Sequence, residues 1–91
     1  MSSREEILNQ ATAIVTVDRN ADYGEPEQNF KQIAEMWSAY LEARIYPHDV
    51  AAMMVLLKVA RIANTPGKED HWVDIAGYAA CGGEVAPKGK V

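Results

Sequence analysis

The most constraining feature of the sequence is the apolar segment from Val50 to Ile62, in which Lys58 and Arg61 are the only charged residues. A helix that is apolar nearly all round is normally buried, so this segment is predicted to be the central helix of the fold. Its longest uncharged run, Val50 to Leu57, is too short to cross a bilayer. The segment therefore predicts a helical domain built around one buried helix, with no membrane span.

Three further helices are predicted around this segment. Ser3 followed three residues later by Glu6 is a capping-box signature, which opens a first helix. A stripe of apolar residues spaced three and four apart, from Phe30 to Leu41, marks a second helix. The predicted helices run from Ser3 to about Asp18, from Pro26 to about Arg44, from His48 to Ile62 and from Glu69 to Gly83.

Length and charge narrow the classes of protein further. A chain of 91 residues forms one domain, here residues 1–83, followed by a flexible C-terminal tail over residues 84–91. The net charge of −4 disfavours binding to a nucleic-acid backbone. The single cysteine, Cys81, and a start without an apolar leader indicate a cytoplasmic protein. We therefore expect an all-α, four-helix bundle-like domain that associates as a dimer or a higher even oligomer, because so small a chain buries little surface alone.

Charged residues on the third and fourth predicted helices fall on facing surfaces. Lys58 and Arg61 lie three residues apart and therefore share one face of their helix. In the next helix Asp70, Asp74 and Tyr78 follow one another at a spacing of four, so they share one face of that helix. Folding the two helices as an antiparallel hairpin about Pro66 sets these faces opposite each other. The expected pairs are Arg61 with Asp70, Lys58 with Asp74 and Met54 with Tyr78, and Gly77 is expected to let the two backbones approach closely.

Two interpretations of these four charged residues are open. In the first, the cations and carboxylates form interhelical ion pairs that fix the register of a small bundle. In the second, they form a phosphate and metal site, since carboxylates one helical turn apart can hold Mg²⁺ and a nearby lysine and arginine can neutralise phosphate oxygens. The interpretations differ in whether the protein itself or a ligand supplies the partner charges.

Four blocks of sequence occur in the order typical of a known group of proteins. They are Asp22-Tyr23-Gly24, Asn29-Phe30, Lys58-Val59-Ala60-Arg61 and the segment from Asp70 to Tyr78. With these blocks the chain resembles small phage and prophage helical proteins of unassigned function, and it is similar to phage nucleotide-modification-associated proteins. Those proteins are distantly similar to the MazG-like all-α nucleoside triphosphate pyrophosphohydrolases. The resemblance covers roughly residues 21–80.

The resemblance to MazG-like enzymes implies an activity, a cofactor and a set of residues. It implies helical dimers or tetramers that convert a nucleoside or deoxynucleoside triphosphate to the monophosphate and pyrophosphate, using Mg²⁺. The residues implied are Asp49, Asp70 and Asp74 as metal ligands, Lys58 and Arg61 as catalytic cations, and Tyr23, Asn29 and Tyr78 as nucleotide contacts.

The chain departs from that superfamily at the metal ligands. An ExxE pair on one helix is usual there, whereas here Asp49 is followed by Ala52 and Met53 where a second acid is expected. This departure supports an alternative function, a non-catalytic phage accessory protein that binds a nucleotide or a host protein. The simpler structural roles for the implied residues are a turn at Tyr23, a local backbone hydrogen bond at Asn29 and a helix cap at Asp70.

Overall fold

The computed structural model describes residues 3–18 and 25–88, and every regular element within those ranges is helical. Helix α1 spans Arg4–Ala13 and continues into a π-helical segment over Ile14–Asp18. Helices α2, α3 and α4 span Pro26–Leu41, Pro47–Ile62 and Glu69–Val85. The predicted all-α fold with four helices is therefore confirmed. None of the described helices is long and apolar enough to cross a membrane.

The ends of the first two helices follow from local backbone chemistry. The capping box of α1 is confirmed, because the Glu6 N–H donates to Ser3 Oγ at 3.2 Å and the Ser3 N–H donates to Glu6 Oε1 at 3.1 Å. Helix α2 ends at Leu41 rather than near Arg44. The reason is Glu42, which adopts a left-handed conformation with φ of 53° and so stops the helix.

Helix α4 continues through the glycine pair that was predicted to end it. A glycine inside a helix costs about 1 kcal/mol relative to alanine, so Gly82-Gly83 was predicted to mark a stop. The helix nevertheless reaches Val85, two residues into the segment that was predicted as the tail. Packing accounts for the difference: a Cβ built on Gly82 would lie 2.9 Å from Ala51 Cβ, so the missing side chain lets α4 approach α3.

Helices α3 and α4 form an antiparallel hairpin, as the sequence predicted. Ala51 lies against Gly82 far from the connecting turn, and Lys58 meets Asp74 closer to it. Both pairs are nearly symmetric about Pro66, and together they fix the register. Helix α1 packs on α4, and α2 packs on α3 with a smaller contact to α4.

The buried core is small and lies where α2, α3 and α4 meet. Its members are Phe30 and Ala34 of α2 with Val50 and Ala51 of α3. Partly buried side chains surround it, and among them Tyr78 stacks on Phe30 with ring centroids 6.4 Å apart. The remaining buried residues are Ala11 of α1 and His71, Val73 and Gly77 of α4.

Within one chain, α3 is not the buried central helix that its composition predicted. Val50 is fully buried, but Leu56 is 65% exposed and Val59 is 49% exposed. Neighbouring helices of the same chain cover one side of α3, and the other side faces outward. The apolar composition of α3 therefore exceeds what its own fold buries.

Candidate functional site

The site predicted from the sequence centres on an ion pair between α3 and α4. Lys58 Nζ lies 2.8 Å from Asp74 Oδ2, and the two side chains are 14% and 21% exposed. This contact confirms the predicted pairing of these two residues. The carboxylate at mid-helix in α4 thus has its counter-charge within the chain.

The second predicted pair does not form. Among residues 3–18 and 25–88, Lys58 with Asp74 is the ion pair that joins α3 and α4, so Arg61 and Asp70 do not bridge the two helices. Both of these residues are exposed near the turn, where an ion pair contributes only about 0–1 kcal/mol. Asp70 does not occupy the N-cap of α4 either, because that position belongs to Lys68.

The prediction that α4 approaches α3 closely at Gly77 is also wrong, because Gly77 faces a different part of the chain. A Cβ at Gly77 would lie 3.1 Å from Val15 Cγ1, so this glycine accommodates the segment that follows α1. The close approach of α3 and α4 occurs at Gly82, five residues later on a different face of the helix. The helical spacing was right, but spacing alone does not say which neighbour each face meets.

Asp49 has a structural task at the start of α3. Its Oδ2 accepts a hydrogen bond from the Tyr46 N–H at 2.9 Å, and its Oδ1 lies 3.7 Å from His48 Nε2. A carboxylate in the first turn also faces the positive end of the helix dipole. Asp49 therefore stabilises the beginning of α3, at the end of the helix away from the Lys58–Asp74 pair.

The three predicted metal ligands do not converge. In the described part of the chain, no group of three histidine, cysteine, aspartate or glutamate side chains is placed to hold a metal ion. Asp49 caps α3, Asp74 pairs with Lys58, and Asp70 lies exposed in the first turn of α4. These side chains do not fit a magnesium site within one chain.

The predicted nucleotide contacts are dispersed. Asn29 lines a shallow depression on α2 with Gln28, Lys31, Gln32 and Glu35, and no residue of α3 or α4 lines it. Tyr78 packs on the core through its stacking with Phe30. Tyr23 lies outside the described residues. The nucleotide roles of these residues stay predictions.

Two residues next to the turn between α3 and α4 have structural roles that the sequence did not indicate. His71 is 6% exposed, and its Nε2 lies 2.9 Å from Thr65 Oγ1. The His71 Nδ1 is buried and has no hydrogen-bond partner among the described residues. Trp72 Nε1 donates to the Pro66 carbonyl at 2.9 Å. Both contacts fasten α4 to the turn.

The outward side of α3 is the most unusual surface in the described structure. We call the part of it from Ala52 to Ala63 the outer face of α3, and none of its members is charged. At about 100° per residue, its members lie on one arc of the helix. It consists of Ala52, Met53, Leu56, Leu57, Val59, Ala60 and Ala63, all exposed.

Of the charged residues of α3, Lys58 and Arg61 lie away from this outer face, whereas Asp49 lies beyond its N-terminal end on the same side as Leu56, seven residues before it. Lys58 points at Asp74 of α4, and Arg61 lies roughly 140° around the helix from Leu56, which follows from five residues at about 100° each. An ordinary surface helix turns its charges to solvent and its apolar stripe to the core. Helix α3 has the opposite arrangement, since its lysine is largely buried and its leucines are exposed.

Comparisons with known proteins place the chain among phage-related sequences. It is 46% identical over 77 residues to the Gene 55 protein of Mycobacterium phage D29, covering 85% of this chain and 51% of that protein. It is 45% identical over 74 residues to the Gene 55 protein of Mycobacterium phage L5, covering 80% of this chain and 47% of that protein. The chain thus spans about half the length of these relatives.

The family assignment rests on a match over most of the sequence. No solved structure matches the chain. Residues 6–86 match a protein family described as Domain of unknown function (DUF6378), and this range takes in all four helices apart from the first two residues of α1 and includes the outer face of α3. The chain therefore belongs to the DUF6378 family, whose function is unassigned.

Proposed function

We propose that this chain is a non-catalytic accessory protein that works by binding another protein chain through the outer face of α3. The observation that carries the proposal is the inverted arrangement of α3, with Lys58 turned towards α4 and Leu56 turned to solvent. Contiguous exposed apolar surface on a small protein marks an interaction site. The similarity to phage Gene 55 proteins agrees with an accessory role and names no activity.

The contacts of the predicted catalytic residues also favour binding over catalysis. A phosphate site needs its lysine available to the ligand, but Lys58 is neutralised by Asp74 at 2.8 Å. A carboxylate that holds a metal needs its oxygens available, but Asp49 accepts the Tyr46 N–H. Of the two interpretations of the charged residues, the structural ion pair is therefore the better supported.

The experiment for this proposal is site-specific photo-cross-linking inside the host cell. A photoreactive residue at Leu56 is expected to capture a protein partner, and one at Glu35, on the polar outer side of α2, is the control. The captured protein is identified by mass spectrometry, and its association is then measured with Leu56→Asp. Capture from both positions alike, or association unaffected by Leu56→Asp, would contradict the proposal.

A magnesium-dependent nucleoside triphosphate pyrophosphohydrolase of MazG-like fold is the second candidate. The observation that favours it is the confirmed facing of Lys58 and Asp74 across the α3–α4 hairpin. Since the carboxylates that the structure describes do not form a ligand set, this function would draw ligands from a second chain. The test is product analysis with ribo- and deoxyribonucleoside triphosphates, with and without Mg²⁺, alongside Asp74→Asn. Monophosphate and pyrophosphate that depend on Mg²⁺ and on Asp74 would favour this candidate, whereas the binding proposal expects no turnover.

A further inference from the structure

We infer that the partner on the outer face of α3 is the outer face of α3 from a second copy of this chain. The two helices run antiparallel about a two-fold axis that passes beside Leu56. This inference rests on the proposed function, because it names the occupant of the same surface. It adds a specific interface and orientation to the expectation that the chain self-associates.

The first argument is the imbalance between the core and the exposed apolar surface. The buried apolar side chains of the described structure are Phe30, Val50, Val73 and three alanines, whereas ten large hydrophobic residues are exposed. The radius of gyration is 13.9 Å, against about 12 Å expected for a compact chain of this length. Small domains with so little core are commonly completed by a disulfide, a metal or a partner subunit. The single cysteine, Cys81, cannot form a disulfide within the chain.

The outer face of α3 can lie against the same face of a second copy without bringing like charges together. In a two-fold interface the same patch lies on both sides, so the patch must be self-complementary. The face is uncharged from Ala52 to Ala63, and in antiparallel pairing centred on Leu56 the Asp49 beyond its end meets Ala63 of the second copy rather than a like charge. The chain as a whole carries a net charge of −4, so an uncharged face avoids the repulsion that acidic surfaces of two copies would have.

Small side chains flank Leu56 at the centre of the outer face. Ala52 and Ala60 lie one helical turn before and after Leu56 on the same side of α3. Antiparallel pairing centred on Leu56 sets Ala52 opposite Ala60 of the second copy, and the small side chains leave space for each leucine. Large side chains next to small ones are what close helix packing requires.

The fourth argument fixes the orientation of the two helices. Helix α3 carries Asp49 in its first turn and Arg61 in its last turn. Antiparallel pairing opposes the two helix dipoles, which is favourable, and keeps the two Asp49 carboxylates at opposite ends of the interface. Parallel pairing would instead place Asp49 beside Asp49.

Exposed aromatic residues at the two ends of α3 enlarge the surface available. Tyr46, which precedes the helix, is 46% exposed, and Trp72, hydrogen-bonded to the turn that follows it, is 45% exposed. Antiparallel pairing brings Tyr46 of one copy towards Trp72 of the other. These two side chains add aromatic area to the surface that the second copy covers.

The experiment measures the mass of the purified full-length protein by sedimentation over a range of concentrations. The wild type is expected to be a dimer, and Leu56→Asp is expected to raise the dimer dissociation constant more than about 30-fold, since it sets two carboxylates against each other at the centre of the interface. Leu8→Asp is the matched control, because Leu8 is 59% exposed on α1 and Leu56 is 65% exposed. Ala60→Arg is a second disrupting variant, and circular dichroism checks that each variant is folded.

Cysteine cross-linking then tests the orientation in a Cys81→Ala background. Ala52→Cys combined with Ala60→Cys is expected to form a covalent dimer with a short bifunctional maleimide. Ala52→Cys alone is expected to form little, because in antiparallel helices its two copies lie eight residues apart along the axis, about 12 Å. Efficient cross-linking of Ala52→Cys alone would overturn the antiparallel arrangement.

The outcomes separate this inference from the proposed function. A dimer that survives both Leu56→Asp and Ala60→Arg, or a wild type that stays monomeric at all concentrations, overturns the inference. If the monomeric protein still cross-links in cells from Leu56 to a different protein, the proposed function stands with another occupant. If it cross-links to nothing, both fail.

Discussion

The two sides of α3 differ in a way that is the reverse of an ordinary surface helix. The inner side contains Val50, which is fully buried, and Lys58, whose ammonium group meets Asp74 at 2.8 Å. The outer face contains Leu56, which is 65% exposed, and no charged residue. Residues of the same chain thus cover the inner side and pair with its lysine, whereas the outer face stays exposed. We therefore propose that the unit that buries α3 is larger than one chain.

Different forces act on the two sides. On the inner side, an ion pair with little exposure loses hydration on folding and regains part of that loss through the contact, so it specifies register more than it stabilises. On the outer face, the free energy comes from apolar area, at about 25 cal/mol per Å², and is released only when a partner covers it. Changes on the inner side should therefore act on folding, and changes on the outer face should act on association.

Truncation of one apolar residue on each side should show the largest difference. Val50→Ala is expected to lower the free energy of unfolding by about 2–3 kcal/mol, because it removes buried methyl groups and leaves a cavity. That loss should be the same at every protein concentration. Leu56→Ala should instead lower stability only where the wild type is dimeric. Urea denaturation at two widely separated protein concentrations measures the free energy of unfolding of both variants. A Leu56→Ala effect that is independent of concentration would show that Leu56 does not act through association.

The charged pair on the inner side should show strong coupling. Lys58→Met and Asp74→Leu alone are each expected to cost about 2 kcal/mol, because each leaves a poorly hydrated charge without its partner. The double variant should recover most of the loss and lie within about 1 kcal/mol of the wild type, since two apolar side chains then pack together. Thermal or urea unfolding of the four proteins gives the coupling. Strictly additive losses would contradict a structural pair and would favour the phosphate-site interpretation.

Substitutions at the two neighbouring glycines of α4 are expected to change the stability least, and they form a closely matched pair. Gly82→Ala is expected to destabilise the fold by about 1–2 kcal/mol, because its Cβ would lie 2.9 Å from Ala51 Cβ and the two backbones must separate. Gly83→Ala has nothing within 4 Å and should instead stabilise by up to about 1 kcal/mol through helix propensity. Equal effects of the two substitutions, measured by thermal unfolding, would show that α3 and α4 do not approach at Gly82.

The sequence predicted those parts of the structure that depend on local chemistry and on spacing. The capping box of Ser3 and Glu6 follows from two side chains and two backbone groups. The pairing of Lys58 with Asp74 follows from helical spacing and from the position of Pro66, which together set the register of a hairpin. Such features need no knowledge of the remaining helices.

The features that the sequence did not predict depend on which helices are neighbours. Gly77 faces Val15 and Gly82 faces Ala51, and the order of residues in α4 does not reveal this assignment. Arg61 and Asp70 obey the same spacing rule as the confirmed pair, but they are exposed at the turn, where little free energy holds them together. The apolar composition of α3 was interpreted as burial within the chain, because composition does not distinguish a core from an interface.

Alkylation of an engineered cysteine reports whether the outer face of α3 is covered. In a Cys81→Ala background, Leu56→Cys and Leu8→Cys are mixed with a maleimide reagent at high and at low protein concentration, and their rates are compared. If a second copy covers the outer face, Leu56→Cys reacts at least about ten times more slowly than Leu8→Cys at high concentration, since central interface positions are shielded from water. The difference in rate disappears on dilution, because the dimer then dissociates. Equal rates for the two cysteines at every concentration would contradict the coverage of the outer face.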